Sequence, residues 1–120
     1  MSRVLIVTDD PRDRDRVHSA LSFGGNELID HDDPESAADR AADESVDVAV
    51  VDLRVGSMGG MALSREFRAR ETRVPVVLLL DRQADTFLAG RSGADAWVTK
   101  PFTASALRAA VTTATGSEVA

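Results

Sequence analysis

The run V-D-V-A-V-V at residues 46–51, followed directly by Asp52, decides the fold of this chain. It is short, apolar and rich in β-branched residues, which is typical of a strand covered on both faces of a parallel sheet. Similar runs occupy residues 3–8, 75–80 and 95–99, and a weaker one lies at about 26–31. The sequence therefore predicts five strands.

Helix signals separate these strands. Asp10-Pro11 and Asp33-Pro34 each place a capping side chain before a proline at the first helical position, and alanines follow Pro34. Further helices are predicted over about 62–70, 84–91 and 105–114, the fourth ending at Ser92-Gly93. Five β-α units indicate an α/β fold, a (βα)5 three-layer sandwich, for which we expect the flavodoxin-like strand order 2-1-3-4-5.

Length and composition exclude several classes of protein. The 120 residues, 43% of them hydrophobic, suit one domain, which we place at residues 1–116, with a frayed tail at 117–120. No apolar run approaches the ~20 residues that cross a bilayer, so we expect a cytoplasmic protein without membrane insertion. A net charge of −6 disfavours direct contact with nucleic acid, and in a chain of this length we expect no DNA-binding output domain. We therefore expect a protein partner.

Acidic residues follow the first and third predicted strands. Asp9 and Asp10 come after the first and Asp52 after the third, so this topology gathers carboxylates at one edge of the sheet. Because such carboxylates repel one another, a hard cation is expected among them, and Mg²⁺ fits best because it takes few protein carboxylates. Lys100, after the fifth strand, adds a positive charge. An aspartate, Mg²⁺ and a lysine together suit phosphoryl transfer.

Other polar residues have simpler interpretations. Asp10 is expected mainly to cap the first helix, because it precedes Pro11. His18 and His31 have no zinc-like spacing, and the sequence contains no cysteine. Arginines and aspartates alternate over residues 12–16, Asp13 among them, and this alternation predicts a solvated helix face.

Three segments resemble the acidic, phosphoacceptor and lysine motifs of bacterial response-regulator receiver domains, the CheY-like family. They are V-L-I-V-T-D-D-P at 4–11, V-A-V-V-D-L-R at 48–54 and G-A-D-A-W-V-T-K-P-F at 93–102, and the resemblance covers about residues 3–114. It implies that Asp52 is the phosphorylated aspartate and that Lys100 pairs with it. It also implies that Asp9, Asp52 and the backbone carbonyl of Arg54 bind Mg²⁺, and that the bond before Pro101 is cis.

The sequence departs from this family pattern near the implied site. Thr8 replaces an acid that holds the metal through water, so Mg²⁺ is expected to bind more weakly. Leu80 replaces a hydroxyl residue that contacts the phosphoryl group, and Asp81 follows where a small residue is usual. Gly56 replaces a proline, which is expected to loosen the loop. With no hydroxyl at Leu80, the usual coupling to the aromatic switch position, here Trp97, cannot operate in the ordinary way.

Two functions follow from these features. The first is an atypical single-domain receiver that accepts a phosphoryl group on Asp52 from a histidine kinase or a small donor and signals through protein contact. The alternative is a pseudo-receiver, a phosphorylation-independent binding or structural subunit of a larger assembly. By family resemblance, its docking face would comprise the fourth helix, fifth strand and fifth helix, including Arg91, Trp97 and Arg108.

A small FMN-binding protein, a third class with the same strand order, fits poorly. The segment Thr8-Asp9-Asp10-Pro11 would bring negative charge to the loop that binds the FMN phosphate.

Overall fold

The computed structural model describes residues 2–22, 25–54, 59–70 and 73–116, and within them strands and helices alternate along the chain. The strands are β1 (Arg3–Val7), β2 (Glu27–His31), β3 (Val48–Asp52), β4 (Val76–Leu80) and β5 (Ala96–Thr99). The helices are α1 (Pro11–Leu21), α2 (Pro34–Asp43), α3 (Gly60–Ala69), α4 (Thr86–Arg91) and α5 (Ala104–Thr115). A 3₁₀ turn at Gln83–Asp85 precedes α4.

The sheet is parallel, with strand order β2-β1-β3-β4-β5, so the predicted α/β fold and its strand order are confirmed. Every residue of β3 and β4 is buried, which explains why these two runs are apolar almost without interruption. The observed ends of the strands differ from the predicted ones by one or two residues. The β3 strand reaches Asp52 itself, so the candidate site begins on the last residue of a buried strand.

Successive residues of β1 point into opposite layers of the core. Leu5 and Val7 belong to the apolar cluster that contains residues of α2, α3 and α4, whereas Val4 and Ile6 belong to the cluster that contains residues of α1 and α5. This period of two distributes the helices over both faces of the sheet. The result is the predicted three-layer sandwich.

The predicted helix ends are also found. The Asp10 carboxylate accepts a hydrogen bond of 2.9 Å from the backbone N–H of Arg12, and Asp33 caps α2 in the same way. The bond from the Arg12 N–H is the main reason that the pKa of Asp10 is lowered. Gly93 follows the end of α4 with a φ of 85°, the left-handed conformation expected at this position.

One surface prediction is wrong. Asp13 was expected on a solvated face, but the structure buries it to 6% exposure, while its neighbour Asp15 is exposed. Two other expectations, for Gly56 and for the tail at 117–120, lie outside the described residues. Among the helices that the structure describes, none is long and apolar enough to span a membrane.

Candidate functional site

The carboxyl ends of β1, β3 and β5 meet at one edge of the sheet and bring three predicted site residues together there. Thr8 follows β1, Asp52 ends β3 and Lys100 follows β5. Asp52 is only 3% exposed. This convergence follows from parallel pairing of the strands. β1 pairs with β3, and β4 lies between β3 and β5 and pairs with both.

Both oxygens of the Asp52 carboxylate accept hydrogen bonds. Oδ2 accepts from the Thr8 hydroxyl at 3.1 Å, so this hydroxyl contacts the candidate acceptor directly. Oδ1 accepts from the backbone N–H of Arg54 at 3.2 Å and from Nζ of Lys100 at 3.1 Å. These contacts fix the orientation of a buried carboxylate and stabilise its charge.

Lys100 is shared among three aspartates. Its Nζ donates to Asp13 Oδ2 at 2.8 Å, to Asp52 Oδ1 at 3.1 Å and to Asp81 Oδ1 at 3.2 Å. Burial alone would lower the pKa of Lys100, but the bond to Asp13, the charge of Asp52 and the bonds to Asp52 and Asp81 raise it well above its usual value. An ammonium group has three N–H donors, so one carboxylate is available for each of them.

Asp13 is the site residue that the sequence analysis missed. It lies on α1, and its side chain is 8% exposed beside Lys100. The sequence did contain a signal, because Asp13, Val17, Ala20 and Leu21 are spaced as one buried helical stripe. The alternation of arginine and aspartate over residues 12–16 obscured that spacing.

Asp81 and Arg54 form the outer part of the site. The second oxygen of Asp81, Oδ2, lies 2.5 Å from Nε of Arg54. The Asp81 side chain is 27% exposed and that of Arg54 is 70% exposed, so the pair lies at the rim. Asp81 therefore connects the partly buried ammonium of Lys100 to an exposed guanidinium.

The donor set suits a cation that takes few protein ligands. Within the described ranges, no group of three or more His, Cys, Asp or Glu side chains is arranged to hold a metal ion. The centre of the three aspartates is instead the Lys100 ammonium. The candidate oxygen ligands that remain are the Asp9 carboxylate, the Asp52 carboxylate and the backbone carbonyl of Arg54. Asp9 directly follows Thr8 and is exposed. Mg²⁺ commonly binds to one or two carboxylates and keeps several waters, so the set fits Mg²⁺.

The two predicted switch positions differ in their surroundings. Leu80 is fully buried and its side chain has no hydrogen-bonding group. Trp97 is 37% exposed, and a Cβ built on Gly90 of α4 would lie 3.7 Å from its Cη2 atom. The indole thus lies beside α4. The Lys100-Pro101 bond is cis, as the resemblance implies.

Apolar side chains are exposed on the predicted docking face. Besides Trp97, Phe87 and Leu88 of α4 are exposed, and the Arg91 guanidinium lies 5.7 Å from the centre of the Phe87 ring. Arg108 of α5 is exposed and donates to the backbone carbonyl of Ala20 at 3.3 Å. The Arg108 guanidinium thus lies against α1, and the cationic group found beside an aromatic ring on this face is that of Arg91.

Comparison with known proteins gives one consistent result. Residues 4–112 match the family model described as the response regulator receiver domain. The chain is 30% identical over 102 residues to the transcriptional regulatory protein PhoP of Escherichia coli K12, covering 83% of this chain and 46% of that protein. It is 33% identical over 104 residues to the virulence transcriptional regulatory protein PhoP of Salmonella typhimurium, covering 85% of this chain and 46% of that protein. The chain thus spans about half the length of these relatives.

Solved structures give the same fold. A response regulator from Chloroflexus aurantiacus superposes with a TM-score of 0.89 at 20% identity, covering 96% of this chain and 98% of that one. The receiver domain of the sensor histidine kinase PA1611 from Pseudomonas aeruginosa superposes with a TM-score of 0.84 at 26% identity, covering 97% of this chain and 98% of that one. In that structure a magnesium ion is coordinated in the active-site cleft.

Proposed function

This chain belongs to the response regulator receiver domain family, and on that premise we propose that it accepts a phosphoryl group on Asp52 and signals through contact with another protein. The observation that carries the proposal is the buried Asp52 carboxylate bonded at 3.1 Å to Nζ of Lys100. A carboxylate of fixed orientation beside a fixed ammonium suits nucleophilic attack on phosphorus.

In the proposed reaction, an Asp52 oxygen attacks the phosphorus of a phosphohistidine or of a small donor such as acetyl phosphate. A bond forms from this oxygen to phosphorus, and the bond from phosphorus to the leaving group breaks. The leaving group departs as histidine, which takes a proton from water, or as acetate. Lys100 offsets the charge on the transferred phosphoryl oxygens, and the backbone N–H of Arg54 orients the nucleophile.

We propose that Mg²⁺ is the cofactor and that Asp9, Asp52 and the backbone carbonyl of Arg54 hold it, with Thr8 contributing through water. Bound there, Mg²⁺ would neutralise charge on the phosphoryl oxygens. Thr8 supplies no negative charge, and its hydroxyl already donates to Asp52 Oδ2. For both reasons we expect weak binding of Mg²⁺.

Intact-mass measurement tests the proposal. The protein is incubated with acetyl phosphate and Mg²⁺, beside Asp52→Asn and a control variant, Asp43→Asn, which removes an exposed aspartate of α2. We expect one phosphoryl adduct on the parent protein and on Asp43→Asn and none on Asp52→Asn. Folded parent protein without an adduct, or an adduct that persists in Asp52→Asn, would contradict the proposal.

A second candidate is a pseudo-receiver that binds its partner without phosphorylation. It is favoured by Leu80, which offers no hydroxyl, and by Asp81, which occupies Lys100. On this reading the partner docks on α4, β5 and α5, where Arg91, Trp97 and Arg108 lie. It predicts that Asp52→Asn leaves partner binding unchanged while substitutions on this face abolish it.

We propose a protein as the partner, a histidine kinase or a member of a larger assembly. Receiver domains interact with histidine kinases and other proteins. The net charge of −6 disfavours direct contact between this chain and nucleic acid. The exposed aromatic side chains of Phe87 and Trp97 suit a protein surface.

A further inference from the structure

The Lys100 ammonium presents a problem for phosphorylation at Asp52. Its three N–H donors are matched by three carboxylates, those of Asp13, Asp52 and Asp81. A phosphoryl group on Asp52 brings about −1.5 to −2 charge and strong acceptor oxygens to the same place. For Lys100 to bind both Asp52 and its phosphoryl group, another carboxylate must release its N–H.

The surroundings of the two candidates differ. Asp13 is 6% exposed on α1, so releasing Lys100 would leave its charge buried, which is unfavourable. The Asp81 side chain is 27% exposed and already contacts Arg54 through its other oxygen. Asp81 can thus leave Lys100 and keep a cationic partner at the rim. Its contact is also the longer of the two, 3.2 Å against 2.8 Å.

We propose that Asp81 is an exchangeable carboxylate that occupies Lys100 until a phosphoryl group on Asp52 displaces it, whereas Asp13 anchors the ammonium in both states. The inference rests on the proposed function of Asp52. Asp81 is in this sense a positioning residue, because it acts on the reaction through Lys100. Before transfer it slows the reaction by holding the N–H that the phosphoryl group needs.

The exchange also gives the domain a way to sense its own phosphorylation. Leu80 has no hydroxyl with which to follow a phosphoryl group, whereas Asp81 is the next residue along the chain. Asp81 is separated from α4 only by Arg82 and the 3₁₀ turn at Gln83–Asp85. Displacement of Asp81 towards Arg54 therefore acts on the segment that leads into α4.

The first test compares rates of phosphoryl gain. The parent protein, Asp81→Asn and a control, Asp39→Asn, are incubated with acetyl phosphate and Mg²⁺, and intact mass is followed over time. The control removes the same charge and also one arginine contact, that of Asp39 with Arg70 at 2.9 Å. We expect Asp81→Asn to react about three- to tenfold faster and the control to match the parent. Equal rates for all three proteins would overturn the inference.

A second readout follows Lys100 itself. Lys100 is the only lysine of the sequence, so ¹⁵N-lysine labelling gives one side-chain ammonium signal in an NMR spectrum. Before phosphorylation, Asp81→Asn should shift this signal relative to the parent, because one of its acceptors has lost its charge. After phosphorylation the two proteins should give the same signal, since Asp81 has left Lys100 in the parent. A difference that persists after phosphorylation would contradict displacement.

These experiments separate the two proposals. If no protein gains a phosphoryl group, Asp81→Asn included, the proposed function fails and the inference fails with it. If the proteins are phosphorylated on Asp52 but Asp81→Asn changes neither the rate nor the Nζ signal, only the inference fails. A phosphoryl gain seen in Asp81→Asn alone would contradict both proposals, because in the parent protein no phosphoryl group would then displace Asp81 from Lys100.

Discussion

Replacing Lys100 with methionine is expected to destabilise the fold strongly, because the ammonium is the shared cation of three aspartates. Methionine keeps much of the length of the side chain but carries no charge. Asp13 and Asp52 would then remain in the protein interior without this partner. Removing one member of a buried ion pair typically costs about 3–5 kcal/mol.

The lower end of that range applies here. Asp52 keeps its hydrogen bonds from the Thr8 hydroxyl and the Arg54 N–H, and Asp81 keeps Arg54. We therefore expect the free energy of unfolding to fall by about 3 kcal/mol, a large part of the roughly 5–15 kcal/mol of a typical domain. The melting temperature should fall by roughly 10 °C.

Urea unfolding measures the loss for Lys100→Met, with Arg65→Met as a control that removes an exposed cation from α3. The control should stay within about 0.5 kcal/mol of the parent protein. A loss below about 1 kcal/mol for Lys100→Met would refute the reasoning.

Three further results are expected. Gly60→Ala should lower the free energy of unfolding by about 1–3 kcal/mol and disturb the candidate site, because its Cβ would lie 2.5 Å from the backbone oxygen of Asp52. Gly90→Ala on α4 is the control, because a Cβ has room there, and it should be neutral or slightly stabilising. Urea unfolding measures both. The pKa of Lys100 is raised in the folded protein, because its bonds and charges with aspartates outweigh the effect of burial. The contribution of Lys100 to stability is therefore complete below the ordinary pKa of 10.5 and is lost only as the pH rises through the higher pKa of the folded state. NMR titration of the single lysine should find its midpoint above 10.5. Thr8→Asp should increase the affinity for Mg²⁺ about tenfold or more, because it places a second carboxylate beside Asp52. Calorimetry measures the affinity. An unchanged affinity would show that the metal does not bind beside residue 8.

The fold and the centre of the site could be predicted from the sequence because both depend on backbone topology. Continuous apolar runs locate the buried strands, and the order of strands in an α/β sheet places their carboxyl ends together. Asp52 and Lys100 stand directly at such ends, and they are in contact. The capping role of Asp10 was predictable for a similar reason, since it depends only on the residues next to it.

The role of Asp13 was harder to predict, because it depends on which face of α1 meets the sheet. Local charge alternation indicated a surface, but the helical stripe shared with Val17 determines burial. The contacts of Asp81 with Lys100 and Arg54 depend on side-chain conformation in three loops, those that follow β3, β4 and β5. Sequence spacing carries no information on such contacts, and the resemblance to receiver domains identified Asp81 only as an unusual charge.

The most direct test of the central claim is to locate the acyl phosphate chemically. Borohydride reduces an aspartyl phosphate to homoserine, and trypsin releases residues 41–54 as one peptide that contains Asp52 together with Asp43 and Asp47. After treatment with acetyl phosphate and Mg²⁺, fragment masses should place homoserine at Asp52 alone. Homoserine at another aspartate of the chain, or at none in folded protein, would contradict Asp52 as the phosphoryl acceptor.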